Sequence, residues 1–174
     1  MTGIIDVGGG MRCTYSSGIY DFLIDSGISF DYCIGVSAGS ANLISFIAGQ
    51  RGRTIMFFSE YSRRREYMSL TNYVRTGSYI DLDYIYSTLS DDTGENPVDY
   101  DAVFRSRSRL TVVATRADNG AAEYFGKSHI KKNNIDVIKA SCCLPLICKP
   151  YFLGGVPYFD GGVADPVPVE RALA

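Results

Sequence analysis

Gly35-Val36-Ser37-Ala38-Gly39 sets a serine between two glycines, at the end of an apolar run and ahead of a segment with helical spacing. A serine on such a strand-to-helix turn stands exposed near the positive end of a helix, and the flanking glycines relieve the backbone crowding of the sharp turn. That is what an acyl-transfer nucleophile requires. A tetrahedral intermediate also needs an anion site, and Gly8-Gly9-Gly10, followed by Met11 and Arg12, offers one. Residues without side chains let backbone N–H groups point at an oxyanion, and losing one such donor costs on the order of 3 kcal/mol. Read instead as a dinucleotide fingerprint, the glycines fail at the sixth position, which is Cys13, and no Gly-Lys-Ser/Thr follows for a P-loop.

Ser37 needs a base, and the chain has a single histidine, His129. A Ser37, Asp118, His129 triad follows the chain order of α/β-hydrolases. That fold, however, sets several strands and an oxyanion loop ahead of its nucleophile, and only 36 residues precede Ser37. Asp160 is the better candidate: it ends the short strand Val156-Pro157-Tyr158-Phe159, and Gly161-Gly162 permit a tight turn and close backbone approach after it.

Taken in order, Gly8-Gly9-Gly10-Met11-Arg12, Gly35-Val36-Ser37-Ala38-Gly39 and Asp160-Gly161-Gly162 resemble the motifs of the patatin-like phospholipase family, and the likeness spans residues 3 to 168. Ala140-Ser141-Cys142-Cys143-Leu144-Pro145 is similar to the Ala-Ser-x-x-x-Pro segment that precedes the aspartate in that family. The resemblance implies a Ser37–Asp160 dyad, an oxyanion hole from the Gly8 to Arg12 turn, and metal-free hydrolysis of lipid acyl esters. Cys13 stands where the family's glycine motif usually ends in glycine. The chain also stops twelve residues after Gly162, as expected of a compact or C-terminally truncated member.

These groups must be held by a scaffold. Gly3 to Val7 reads as a short buried strand, followed by a helix with apolar Ile19, Phe22 and Leu23 that Gly27 ends. Tyr32 to Val36 is a second strand, and Ala38 to Ala48 a second helix. Strand, helix, strand, helix within fifty residues predicts a parallel sheet. Further helices are expected near Ile55 to Tyr67, Leu82 to Leu89 and Asn133 to Cys143, the last halted before Pro145. Leu110 to Arg116 and Ala121 to Phe125 predict a hairpin around Asp118-Asn119-Gly120. The expected fold is a single α/β domain over residues 1 to 174: a three-layer patatin-like fold, with a mainly parallel central sheet flanked by helices and the site at the carboxyl ends of its strands. Tyr61, Tyr67, Tyr73, Tyr79, Tyr84 and Tyr86 fit either a wall of packed rings or the lining of an apolar channel.

A hydrophobic fraction of 46% and a charged fraction of 21% predict an ordinary packed core, and a net charge of -2 gives no reason to expect nucleic acid. Arg51, Arg53 and Arg63-Arg64-Arg65 read as a solvated helix face. Cys13, Cys33, Cys142, Cys143 and Cys148 are expected to be buried thiols; without paired C-x-x-C units or a nearby histidine they predict no zinc site, and no cofactor is expected. A cytoplasmic location follows, with peripheral membrane contact the one membrane role compatible with a lipid substrate and no spanning segment. A small-ester or thioester hydrolase, or an inactive lipid-binding domain of the same fold, uses the same residues differently.

Overall fold

The structure is a computed structural model and describes residues 1–174. The strands are β1 (Gly3–Asp6), β2 (Tyr32–Val36), β3 (Arg109–Arg116), β4 (Ala122–Gly126), β5 (Tyr151–Leu153) and β6 (Val156–Asp160). The helices are α1 (Cys13–Asp25), α2 (Ala38–Ile47), α3 (Arg53–Ser59), α4 (Leu70–Thr76), α5 (Tyr100–Arg105), α6 (Asp136–Ser141) and α7 (Val169–Leu173). Gly27 ends α1 as its spacing predicts: with φ of 65° it closes a Schellman motif, its N–H on the Ile24 carbonyl and that of Ile28 on the Leu23 carbonyl.

The sheet runs β1-β2-β3-β6-β5, with β4 also paired to β3. Only β1–β2 and β2–β3 are parallel; β3–β4, β3–β6 and β5–β6 are antiparallel. The expectation of a mainly parallel sheet is therefore corrected to a mixed one. The cause is connection length, since a parallel neighbour needs a crossover helix. The links from β3 to β4 and from β5 to β6 are short turns, the second being Gly154-Gly155 with positive φ at both residues.

A strand has two hydrogen-bonding edges, and β3 uses both in a way that makes the site. β4 takes one edge from Thr111 to Thr115; β2 takes the other from Arg109 to Val113, and β6 continues that edge from Ala114 to Arg116. Because β2 is parallel to β3 and β6 antiparallel, their carboxyl ends meet head-on. Val36 lies opposite Val113 and Asp160 opposite Ala114, on consecutive residues of β3.

One face of the sheet, through Cys33, Leu110, Val112 and Ala114, packs on Leu43 and Ile44 of α2 and Ile138 of α6. The other, through Ile34, Val36 and Val113, meets Ile5, Tyr124 and Ala172 of α7. Every residue of β2 is buried, as a strand covered on both faces must be. The predicted helix at Ile55 to Tyr67 is shorter, α3 plus a turn of 3-10 helix at Tyr61–Arg63, and the one at Leu82 to Leu89 is a π-helical turn at Tyr84–Thr88. Cys13 opens α1 and is buried against Ala38 and Phe58, filling with a thiol the space where a glycine would stand.

Arg53 is not on a solvated face. It is buried and donates to Ser45 Oγ, Ser90 Oγ, Asn96 O and Pro97 O at 2.9–3.3 Å, with its guanidinium over the Phe57 ring. Arg51 and Arg64 do lie at the surface, paired with Asp25 and Glu95. Burial lowers the Arg53 pKa to about 10, so the group stays charged at neutral pH. Truncation would remove all four bonds at once and leave the Asn96 carbonyl without a donor, and Arg53→Ala is expected to cost about 3 kcal/mol of unfolding free energy in urea denaturation. A loss below about 1 kcal/mol would show that the loop around Asn96 holds itself without the guanidinium.

Candidate active site

Ser37 sits on the turn between β2 and α2 with φ of 54° and ψ of -136°, a conformation that costs a side-chain-bearing residue about 1–3 kcal/mol. The surroundings hold it there. Its N–H donates to Ser141 Oγ at 2.8 Å, while its carbonyl accepts from the Ser40 N–H at 2.9 Å and from Ser40 Oγ at 2.6 Å. Close approach explains both flanking glycines: a side chain at Gly35 would overlap the Ser40 backbone, and one at Gly39 would overlap Asp6.

Asp160 closes β6 and is 4% exposed. Its N–H donates to the Cys143 carbonyl and its carbonyl accepts from Thr115 Oγ1, both at 2.8 Å. In the side chain, Oδ1 accepts the Gly162 N–H at 2.8 Å, while buried Oδ2 has no donor in full hydrogen-bond geometry. Burial raises the carboxyl pKa above the ordinary 3.8; hydrogen bonding from the Ser37 side chain and from the Gly162 N–H partly offsets this. The Ser37 hydroxyl thus stands beside the carboxylate without closing a well-formed bond to it, and such contacts often tighten only when substrate is bound. The segment after α6 touches both residues, through Ser141 to Ser37 and Cys143 to Asp160.

Gly8, Gly9 and Gly10 have φ of 72°, 120° and 58°. Gly8 packs against the Val36 carbonyl and Ser37, and its N–H is taken by Asp6 Oδ1 at 3.0 Å. Asp6 Oδ2 accepts from Asn42 Nδ2 at 3.1 Å, tying the turn to α2. The N–H groups of Gly9, Gly10 and Met11 donate to nothing in the protein. The Gly9 carbonyl accepts from the Arg12 N–H at 3.2 Å and Arg12 Nε at 3.4 Å. In a trans peptide C=O and N–H point oppositely, so Arg12 aims the Gly10 N–H away from itself. Gly10, Met11, Ser37 and Ala38 line one side of an apolar cleft of ≈ 90 Å³, faced by Tyr67, Ile80, Leu82 and Leu144.

A family profile for patatin-like phospholipases matches residues 7–173. The chain belongs to that family. A relative from Escherichia coli (strain K12), described as uncharacterized protein YjjU, is 33% identical over 170 residues, which is 95% of this chain and 46% of that protein. The chain therefore spans about half the length of the relative it matches. No helix is long and apolar enough to cross a membrane.

Within this patatin-like fold, Ser37, Asp160 and the Gly8 to Arg12 turn come together, whereas Asp118 and His129 do not. Asp118 is held by Arg116 at the β3–β4 turn, and His129 lies exposed beyond the other end of β4, its Nδ1 3.2 Å from the Gly126 carbonyl. The length of β4, about 13 Å at the usual strand rise, separates them. Of the tyrosines, Tyr67 and Tyr86 line the cleft, Tyr61 packs on Phe57, and Tyr73 is exposed. Sequence reasoning singled out neither Asp6, Asn42 nor Thr115. A charge closing an otherwise apolar strand was the available signal for Asp6, and an amide on the buried face of α2 that for Asn42; Thr115 carried none.

Asp160 has a stability signature with a defined sign. Its folded pKa is raised, so the folded state favours the neutral carboxyl: that contribution is complete below 3.8 and is lost as pH rises through the folded pKa. Asp160→Asn, neutral at every pH, is expected to melt above the wild type at pH 7, with the gap closing as pH falls towards 3.8. A variant melting below the wild type at pH 7 would show that the ionised carboxylate is net stabilising in its pocket.

Proposed function

We propose that the protein is a serine acyl hydrolase acting on lipid acyl esters, phospholipase A in type, with Ser37 as nucleophile and Asp160 as base. The observation that carries this is the meeting of β2 and β6 on β3, which sets a strained serine beside a buried, under-hydrogen-bonded carboxylate, with the unused backbone donors of the glycine turn next to the serine. Asp160 takes the Ser37 hydroxyl proton as Oγ attacks the ester carbonyl. The N–H groups of Gly9, Gly10 and Met11 then hold the oxyanion, and Gly8, whose N–H is engaged by Asp6, spaces the turn. Collapse breaks the bond to the alcohol, which leaves with the proton returned by Asp160. Water, deprotonated by Asp160, next cleaves the acyl-serine and restores Ser37. The apolar walls of the cleft suit an acyl chain, which favours lipid over small polar esters or thioesters.

Asp160 must be ionised to act, so kcat/KM is expected to fall on the acid side with a midpoint above the ordinary carboxylate value, the direction in which burial moves it. Asp160→Asn should lose about two to four orders of magnitude in turnover of short-chain nitrophenyl esters, while His129→Ala keeps most of it. A dead His129→Ala beside an active Asp160→Asn would overturn the mechanism. An inactive lipid-binding domain would show no turnover that depends on Ser37.

A further inference from the structure

The cleft opens between three segments whose outer surfaces are unusually apolar. On one side, Met11 lines the cleft while 47% exposed, and Tyr15, one helical turn further along α1, is 81% exposed. On the other side a narrow neck leaves the domain: Met68 and Ile80, both lining the cleft, are bridged to each other, the Ser69 N–H bonds the Tyr79 carbonyl, and the Asp81 N–H bonds the Tyr67 carbonyl. The neck carries α4, capped by Ser69 and ended by Gly77. Leu70, Tyr73 and Val74 share one face of this helix and point into solvent, Leu70 at 75% and Val74 at 84% exposure. The third segment follows Leu144, which lines the cleft, and presents Leu146 at 93% exposure. It is tied to the neck by the bond from the Tyr79 N–H to the Ile147 carbonyl at 2.7 Å.

Charge follows the same geography. Residues 10–20, 62–80 and 141–151 contain six cations, Arg12, Arg63, Arg64, Arg65, Arg75 and Lys149, and one acid, Glu66, in a chain whose net charge is -2. Apart from Arg64, which holds Glu95, none of these cations is in an ion pair. Of the carboxylates just beyond, Asp21 accepts the Gly52 N–H, Asp81 accepts the Tyr84 N–H, Asp83 pairs with Lys139, and Glu60 is in no ion pair. Exposed apolar tips surrounded by unpaired cations, at the mouth of an apolar cleft, match a bilayer with anionic headgroups: the tips enter the acyl boundary and the cations meet the phosphates. Another soluble protein surface would explain the apolar tips but not the excess of cations around them.

We infer that the cleft mouth is a docking face for an anionic lipid surface, formed by Leu70, Tyr73 and Val74 of α4 with Leu146, Met11 and Tyr15, and steered by Arg63, Arg65, Arg75 and Lys149. This rests on the lipid-hydrolase reading and gives it a partner, so that substrate is drawn from a bilayer and not from free solution. The neck matters for this role, because it holds the docking helix outside the domain while Met68 and Ile80 keep its base in the cleft wall.

The test uses the full chain carrying Ser37→Ala, so that binding is read without hydrolysis, in co-sedimentation with vesicles of phosphatidylglycerol or of phosphatidylcholine. Phosphatidylglycerol vesicles should bind at least about tenfold more tightly, and the preference should shrink in 0.5 M salt. Leu70→Ser/Val74→Ser/Leu146→Ser should weaken that binding about tenfold or more, and Arg63→Gln/Arg65→Gln/Arg75→Gln by about fivefold per charge. With Ser37 restored, both triple variants should hydrolyse a monomeric short-chain ester within about twofold of the parent, which also shows that they fold. If a triple variant fails this folding check, Val74→Ser or Arg75→Gln alone carries the test. No binding to phosphatidylglycerol, equal binding to both vesicles, or variants that bind like the parent would overturn the proposal. So would a dimer in sedimentation velocity that the apolar variant dissolves, since a second copy would then be the occupant. Vesicle binding by a chain without Ser37-dependent esterase activity would leave the docking face standing and remove the proposed reaction.

Discussion

The structure depends on how the edge of β3 is divided. Val113 is the last residue of that edge given to β2, and Ala114 the first given to β6. With the two strands arriving from opposite directions, each delivers its carboxyl end to the same place. The residue that follows one end is Ser37, and the residue at the other is Asp160. Neither could be placed there by its own segment, because β2 belongs to the first forty residues and β6 to the last twenty. A register slip of one residue in either pairing would turn the delivered side chain to the other face of the sheet.

Around that junction, polar residues fix geometry that the apolar core does not specify. Ser141 and Ser40 hold the strained peptide groups of Ser37, Thr115 and Cys143 fasten the Asp160 backbone, and Asp6 joins the glycine turn to α2 through Gly8 and Asn42. Ser40, Asn42, Ser141 and Thr115 are all nearly inaccessible, so each bond forms away from water and its loss would leave an orphaned group. The strain at Ser37 and the burial of Asp160 both work against stability. That is the usual relation between a reactive site and the fold that carries it.

Local signals in the sequence carried the site further than they carried the sheet. The glycines beside Ser37, the triplet at Gly8 and the Asp-Gly-Gly turn stand out because close backbone approach leaves no room for side chains, a constraint written at single positions. The antiparallel half of the sheet is different. β6 lies next to β3 because of non-local pairing, and the three-residue β5 is too short to show alternation. α4 escaped notice although Ser69 and Gly77 cap it, since at 7 residues it shows its apolar spacing only once, inside an aromatic-rich stretch. Arg53 looked like part of a basic surface because sequence cannot show that Ser45, Ser90, Asn96 and Pro97 converge on it.

The chain belongs to the patatin-like phospholipases, and the central claim proposed beyond that membership is that Ser37 is activated by where it sits. A fluorophosphonate probe tests this most directly, because it reacts with a serine whose hydroxyl is being deprotonated and ignores a structural one. Incubation of the folded full chain, followed by peptide mass analysis, should place one label on the peptide containing Ser37, and prior unfolding should abolish it. A folded protein that takes no label, or one labelled at another serine, would contradict the account.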